Sequence, residues 1–235
     1  MKTKSEITLC FLLSILIFTC GCKKDDDKTL TDVDGNNYKT ITIGGNVWMA
    51  ENLRTTKFND GSAIPLVTDA GQWPGLNSPA YCWFENNASN KNTLGGLYNG
   101  YAVKDSRGLC PTGWHVASDQ DWIDLELSQG MKQTDAFVTD DRGVDENVGG
   151  HLKAITTWDA PNSGADNSSG FSALGTGYRR PPGEFEWFRK YSGFYTSSTS
   201  NPGYLWMRYL GHDMKGIARY ERSLQYAYSI RCIKD

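Results

Sequence analysis

Imidazole is scarce in this chain: His115, His151 and His212 are its three histidines. A histidine that moves protons needs a nucleophile, an acid or a metal within hydrogen-bond reach. No Gly-x-Ser-x-Gly elbow, phosphate-binding Gly-x-x-x-x-Gly-Lys loop or His-Glu-x-x-His pair accompanies them. His115 stands between Trp114 and Val116, directly ahead of an expected helix, and reads as a buried, hydrogen-bonded structural residue. Paired carboxylates can hydrolyse glycosidic bonds, and Asp159 with Asp166, or Glu184 with Glu186, are the candidates. Solvated surface acids are the simpler reading of all four, so no catalytic residue is assigned.

The stretch from Trp158 to Asn167 is a better candidate for binding. Asn162, Asp166 and Asn167 carry oxygens suited to Ca²⁺ or to sugar hydroxyls. Trp158 belongs to the same stretch, and Trp187 or Tyr195 could stack on the apolar face of a sugar. The competing reading is favoured: an ordered long loop that spends Asn and Asp on its own turns. Ca²⁺ is the one ion this stretch brings to mind, and no other cofactor is expected. Asp32-Val33-Asp34-Gly35-Asn36 fails as a calcium loop. With Gly35 at the sixth position, Leu30 and Ile41 fall where the first and the bidentate ligands belong; a turn is expected instead.

The elements that must hold these residues begin with an address. Lys2 and Lys4 precede an apolar run, Ile7 to Phe18, that ends at Thr19-Cys20-Gly21-Cys22. The run is too short to span a bilayer but fits a signal peptide. Gly21-Cys22 resembles a lipobox, so residues 1–22 read as a lipoprotein leader with Cys22 lipidated. Cys20 is the weaker site because Phe18 and Thr19 precede it, and ordinary secretion is the alternative. Residues 23–31 form a linker, opened by the charged Lys23 to Lys28, and residues 32–235 form one domain. The lysine-then-acid pattern is similar to the surface-export signal of Bacteroidota lipoproteins. A lipid-anchored, surface-exposed outer-membrane protein is expected.

Within the domain, 25 Gly together with 8 Trp, 12 Tyr and 9 Phe favour short strands, turns and large core rings over long helices. Net charge is −3 with no basic stripe, so nucleic acid is not an expected partner. Tyr38 to Ile43, Gly44-Gly45 and Asn46 to Ala50 read as a hairpin with Ile41 opposite Trp48. Asn59 to Asn99 reads as loops and short strands. Ser118 opens a helix as N-cap with Asp121 in a capping box, Trp122, Ile123, Leu125 and Leu127 on its buried side, and Gly130 as its stop. Tyr226 to Ile233 reads as a closing strand. Cys82, Cys110 and Cys232 allow one disulfide, and spacing does not choose the pair. With no Cys-x-x-Cys, structural zinc is not expected.

Several segments resemble one family. Asp34-Gly35-Asn36 with Tyr38, Val47-Trp48-Met49-Ala50-Glu51-Asn52-Leu53, Tyr81-Cys82-Trp83, Leu97-Tyr98-Asn99 and Leu109-Cys110-Pro111-Thr112-Gly113-Trp114-His115-Val116 stand in the order found in the Fibrobacter succinogenes major paralogous domain. Gly149-Gly150-His151-Leu152-Lys153, Ser169 to Leu174 and Ser229 to Asp235 complete the resemblance. Departures are the proline-rich Gly177 to Pro182 and Tyr195-Thr196, where the family tends to have Trp-Trp or Tyr-Trp. The family in turn is similar to the C-type-lectin-like fold of formylglycine-generating enzymes, which implies an α+β domain of short antiparallel strands, few helices and long loops. The resemblance implies a Cys110–Cys232 disulfide, with Cys82 a buried free thiol. Closing so long a loop would stabilise the fold by roughly 4 to 5 kcal/mol in the chain-entropy account. The reactive cysteines of those enzymes have no counterpart pair here, so the resemblance stops at the fold. A non-catalytic binding or adhesion module is expected, its ligand a glycan or a surface protein. An enzyme acting on extracellular polysaccharide and a purely architectural lipoprotein are the alternatives.

Overall fold

The computed structural model describes residues 29–235; the expected leader, the expected lipidation site Cys22 and the expected charged linker up to Lys28 lie outside these residues. In chain order the strands are β1 (Leu30–Thr31), β2 (Asn37–Tyr38), β3 (Thr40–Ile43), β4 (Asn46–Met49), β5 (Tyr81–Cys82), β6 (Leu97–Asn99), β7 (Trp114–Val116) and β8 (Asp140–Arg142). They continue as β9 (Tyr178–Arg179), β10 (Phe185–Glu186), β11 (Tyr191–Thr199), β12 (Tyr204–Gly211), β13 (Ile217–Ser223), β14 (Ala227–Tyr228) and β15 (Cys232–Lys234). The α-helices are α1 (Lys91–Leu94), α2 (Gly100–Val103), α3 (Asp119–Ser128) and α4 (Val148–Leu152). Antiparallel sheets dominate, with few helices and long connections, as an α+β reading requires.

Local signals set the first hairpin. Gly44 and Gly45 take φ of +60° and +88°, and Ile41 pairs with Trp48. Trp48 is fully buried, 5.5 Å from Trp122 and 5.8 Å from Phe171. A Cβ on Gly44 would come within 2.9 Å of Ser128 Cβ, so the turn is pressed against the end of α3. That helix begins as expected: Ser118 Oγ accepts the Asp121 N–H, and Asp121 Oδ2 accepts the Ser118 N–H at 2.7 Å. Gly130, at φ +100°, follows its end.

Glu126 departs from the expected pattern. It lies on the buried side of α3 with Trp122, Ile123 and Leu125. Arg208 reaches it at 2.5 Å and Arg142 at 3.0 Å, while Asp119 bridges Arg208 and Arg219. This network fastens α3 to the sheet β11-β12-β13-β8. Removing one member would strand a buried charge, typically at about 3–5 kcal/mol.

The closing strand is two strands. β14 is an inner strand of the sheet β10-β9-β14-β6-β5, and β15 is an inner strand of β3-β4-β15-β7. Arg231 lies between them, fully buried. It donates to Asn52 Oδ1, Met49 O and Phe171 O, each at 2.8 Å, and to Ser172 O at 3.1 Å. Burial pulls its pKa down to about 9. Cys110 and Cys232 form a disulfide that closes a separation of 122 residues. Cys82 is a buried free thiol whose pKa burial pushes up to about 12.

Candidate functional site

The loop after α4 spends most of its polar groups on itself. Trp158 is buried and its Nε1 donates to Ala173 O at 2.9 Å. Asn162 donates to Ala154 O at 3.1 Å, and Asn167 exchanges two 2.9 Å hydrogen bonds with Ser172. Asp166 accepts the Ser168 N–H at 2.9 Å and faces His151 Nδ1 at 3.0 Å. Tyr195 is fully buried and its hydroxyl donates to Ser223 O. The rings of Trp158 and Tyr195 therefore offer no stacking face to solvent, because both complete the core. Only Trp187 of the expected set presents a largely open ring.

Lys153 explains the order of this loop. Its fully buried ammonium donates to Ser163 O at 2.9 Å, Gly211 O at 2.8 Å and Met214 O at 2.7 Å. Burial lowers its pKa to about 8, so it remains charged at neutral pH. Three carbonyl oxygens that would suit a bound cation are taken by the chain's own ammonium.

The histidines are placed differently from one another. His115 is hydrogen-bonded but not buried: its side chain is 45% exposed. The correction follows from position, since β7 is an edge strand and alternate side chains of an edge strand face outward. Its Nδ1 meets Asp235 at 2.7 Å and its Nε2 meets Asp121 at 3.1 Å. Partial burial lowers its pKa, but the two carboxylate hydrogen bonds outweigh that and raise it overall. His151 uses Nδ1 for both Asp166 and Ser168. A proton relay needs one ring nitrogen for each partner, so these three residues are not arranged as one. His212 Nδ1 meets Ala160 O at 2.9 Å. Glu184 and Glu186 both pair with Arg180, and Asp159 pairs with Arg189. Among the described residues, no group of three or more His, Cys, Asp or Glu side chains is placed to hold a metal.

Aromatic side chains assemble on one face of β11-β12-β13. The register sets Tyr195, Met207 and Tyr220 side by side, with Gly193, Tyr209 and Ala218 in the next row. Gly193 is required there, because a Cβ would come within 2.3 Å of the Tyr228 ring lying across the sheet. Around this buried centre runs a tract of half-buried rings. Trp187 meets Tyr191 edge-on at 5.3 Å, Tyr191 stacks on Tyr209 at 4.9 Å, and Tyr209 lies 6.4 Å from both Tyr220 and Tyr178. Tyr226 follows, 6.2 Å from Tyr178.

Hydrogen bonds fix the hydroxyls of this tract. Tyr191 donates to Asp213 at 3.3 Å and Tyr220 to Asp140 at 2.5 Å. Burial raises the pKa of Tyr178, Tyr191 and Tyr209. The hydrogen bond to Asp140, followed by burial, pushes Tyr220 up to about 12. All four are neutral phenols at physiological pH. Trp187 is 45% exposed and its φ is +64°. A bulky residue pays about 1–3 kcal/mol for such a backbone, and strain of this kind gathers at functional positions.

A cleft of about 380 Å³ lies elsewhere, beside β3 and over Asn52. Its polar groups are largely occupied: Glu51 accepts the Lys39 N–H, and Asn52 is held by Arg231 and Leu94 O.

The sequence signature of the Fibrobacter succinogenes major domain matches residues 41–234. The chain belongs to that family. No curated protein and no solved structure matches it. The segments that resemble the family map onto the frame: Trp48, Met49 and Leu53 are buried, Asn52 binds Arg231, and Cys110 is bonded to Cys232. Trp187, Tyr191, Tyr209, Tyr220 and Tyr226 lie outside those segments. Reading the chain by resemblance passes over them. The one sequence signal for the tract was density, since eight of the 12 tyrosines fall between Tyr178 and Tyr228.

Proposed function

We propose that this chain is a non-catalytic binding module on a C-type-lectin-like scaffold, held at the outer cell surface through lipidated Cys22, and that its ligand is a glycan. One observation carries the reading. An exposed Trp187, kept in a strained backbone, continues into the half-buried Tyr191 and Tyr209 as a shallow row of rings flanked by hydrogen-bonded hydroxyls. Sugar rings stack on such surfaces through their C–H faces, and fixed hydroxyls and carboxylates accept their O–H groups. The return of β15 to pair with β4 and the Cys110–Cys232 bond support the lectin-like reading of the scaffold.

The test is a glycan array probed with the mature chain carrying Cys22→Ala for solubility, with and without Ca²⁺, beside a Trp187→Ala variant. Binding that the variant loses, at an unchanged melting temperature, is expected. A blank array in both conditions would overturn the glycan reading. Metabolic labelling with a palmitate analogue should mark the native chain and spare Cys22→Ala; equal labelling would remove the anchor.

A further inference from the structure

Resting on that reading, we propose that the tract takes a single, solvated, uncharged polysaccharide chain rather than a crystalline polysaccharide face or a polyanion. Ring orientation argues against a flat face. A crystal surface needs several coplanar rings, but successive planes here turn by 81° from Trp187 to Tyr191, 18° from Tyr191 to Tyr209 and 70° from Tyr209 to Tyr220. One near-parallel pair, Tyr191 and Tyr209, is stacked face to face, so it offers a sugar an outer ring face and not a flat platform. The rings on either side face other directions, as a twisting chain requires. Because the rings' own stacking takes up the 4.9 Å step from Tyr191 to Tyr209, a sugar unit meets that pair as one site, with the Trp187 and Tyr220 rings 5.3 and 6.4 Å away on either side.

Charge argues against a polyanion. The carboxylates at the tract that no cation among the described residues pairs with are Asp213, bonded to Tyr191, and Asp140, bonded to Tyr220; Glu186, near Tyr178, is paired with Arg180. Arg222 is the guanidinium that touches it, lying 5.1 Å over Tyr220 and 5.9 Å from Tyr226 while donating to Glu221 O. A uronate or sulfated chain would set its charges against these acids, and like charges brought together in a partly desolvated site repel. Neutral hydroxyls gain hydrogen bonds from the same carboxylates. Because Tyr191 and Tyr220 already donate to carboxylates, their oxygens are left as acceptors for sugar O–H groups.

The experiment is calorimetric titration of the mature Cys22→Ala chain with three probes: a β-1,4-linked glucose hexasaccharide, a polygalacturonate oligomer of the same length, and a suspension of microcrystalline cellulose in a depletion assay. Uptake of the neutral hexasaccharide is expected, weakened about tenfold or more by Trp187→Ala and by Tyr191→Ala, with no uptake of the other two. Asp213→Asn should weaken the neutral probe without admitting microcrystalline cellulose. Polygalacturonate or cellulose binding that Trp187→Ala abolishes would overturn the ligand class and leave the glycan-binding reading standing. Absence of binding to all three probes, with a positive glycan array, would also overturn the class alone. A blank array together with silent titrations would overturn both. Neutral binding that neither aromatic variant disturbs would overturn the tract as the site.

Discussion

Replacing Lys153 by Met keeps most of the apolar stem and removes the ammonium. In the native fold that group satisfies Ser163 O, Gly211 O and Met214 O at 2.7–2.9 Å, drawn from the loop after α4, the end of β12 and the turn before β13. Without it, Ser163 O and Met214 O lose their donor and Gly211 O keeps only the Met214 N–H at 3.3 Å. Each stranded acceptor costs about 1–3 kcal/mol. The relief of no longer burying a charge offsets part of the sum, leaving a net loss of about 3–5 kcal/mol. Domains of this size are stable by about 5–15 kcal/mol, so the variant should still fold but with a clearly lowered urea midpoint. Two measurements check this: urea unfolding for the global loss, and limited proteolysis for early cleavage in residues 154–173. A loss below about 1 kcal/mol with unchanged proteolysis would refute the argument, because the carbonyls would then be satisfied without the ammonium.

Other consequences are equally open to measurement. His115 is protonated more readily in the folded chain than in the unfolded one. Its contribution should be complete below the unfolded pKa of about 6.5 and fade as pH rises through the higher folded value. With the side chain 45% exposed, the effect should stay under about 1 kcal/mol, read as a melting-temperature gap over His115→Gln that narrows from pH 6 to pH 8. Reducing the Cys110–Cys232 bond should remove about 4–5 kcal/mol, whereas Cys82→Ala should leave the reduction-induced shift in melting temperature unchanged. Trp187→Gly, which frees the positive φ, should raise stability by about 1 kcal/mol in thermal melts while weakening glycan uptake; a destabilised variant would contradict the strain assigned there.

What was legible in the sequence was local. Gly44-Gly45 and the Ser118 to Asp121 cap act within a few residues, so the hairpin and α3 could be placed directly. The meander of β11, β12 and β13 could not, because Ser192, Arg208 and Arg219 are buried and break the alternation that marks a strand. Glu126 was not among the residues expected on the buried side of α3, because its partner Arg208 lies 82 residues later. The tract was hidden for the same reason. Tyr191, Tyr209 and Tyr220 belong to three strands and meet only through their register. Tyr195 was the wrong ring to choose because, on the same face as Tyr191, it lies at the centre and is covered by Tyr228 at 4.9 Å, whereas Tyr191 lies toward the edge.

The placement of β14 and β15 bears on when this chain can fold. Each supplies an inner strand to a different sheet, and Cys232 lies in the second of them. A growing polypeptide short of these residues has two sheets split down the middle and a Cys110 without its partner. Neither packing nor oxidation can finish until Ala227 to Lys234 have been made, so the two sheets close after the rest of the domain has been synthesised.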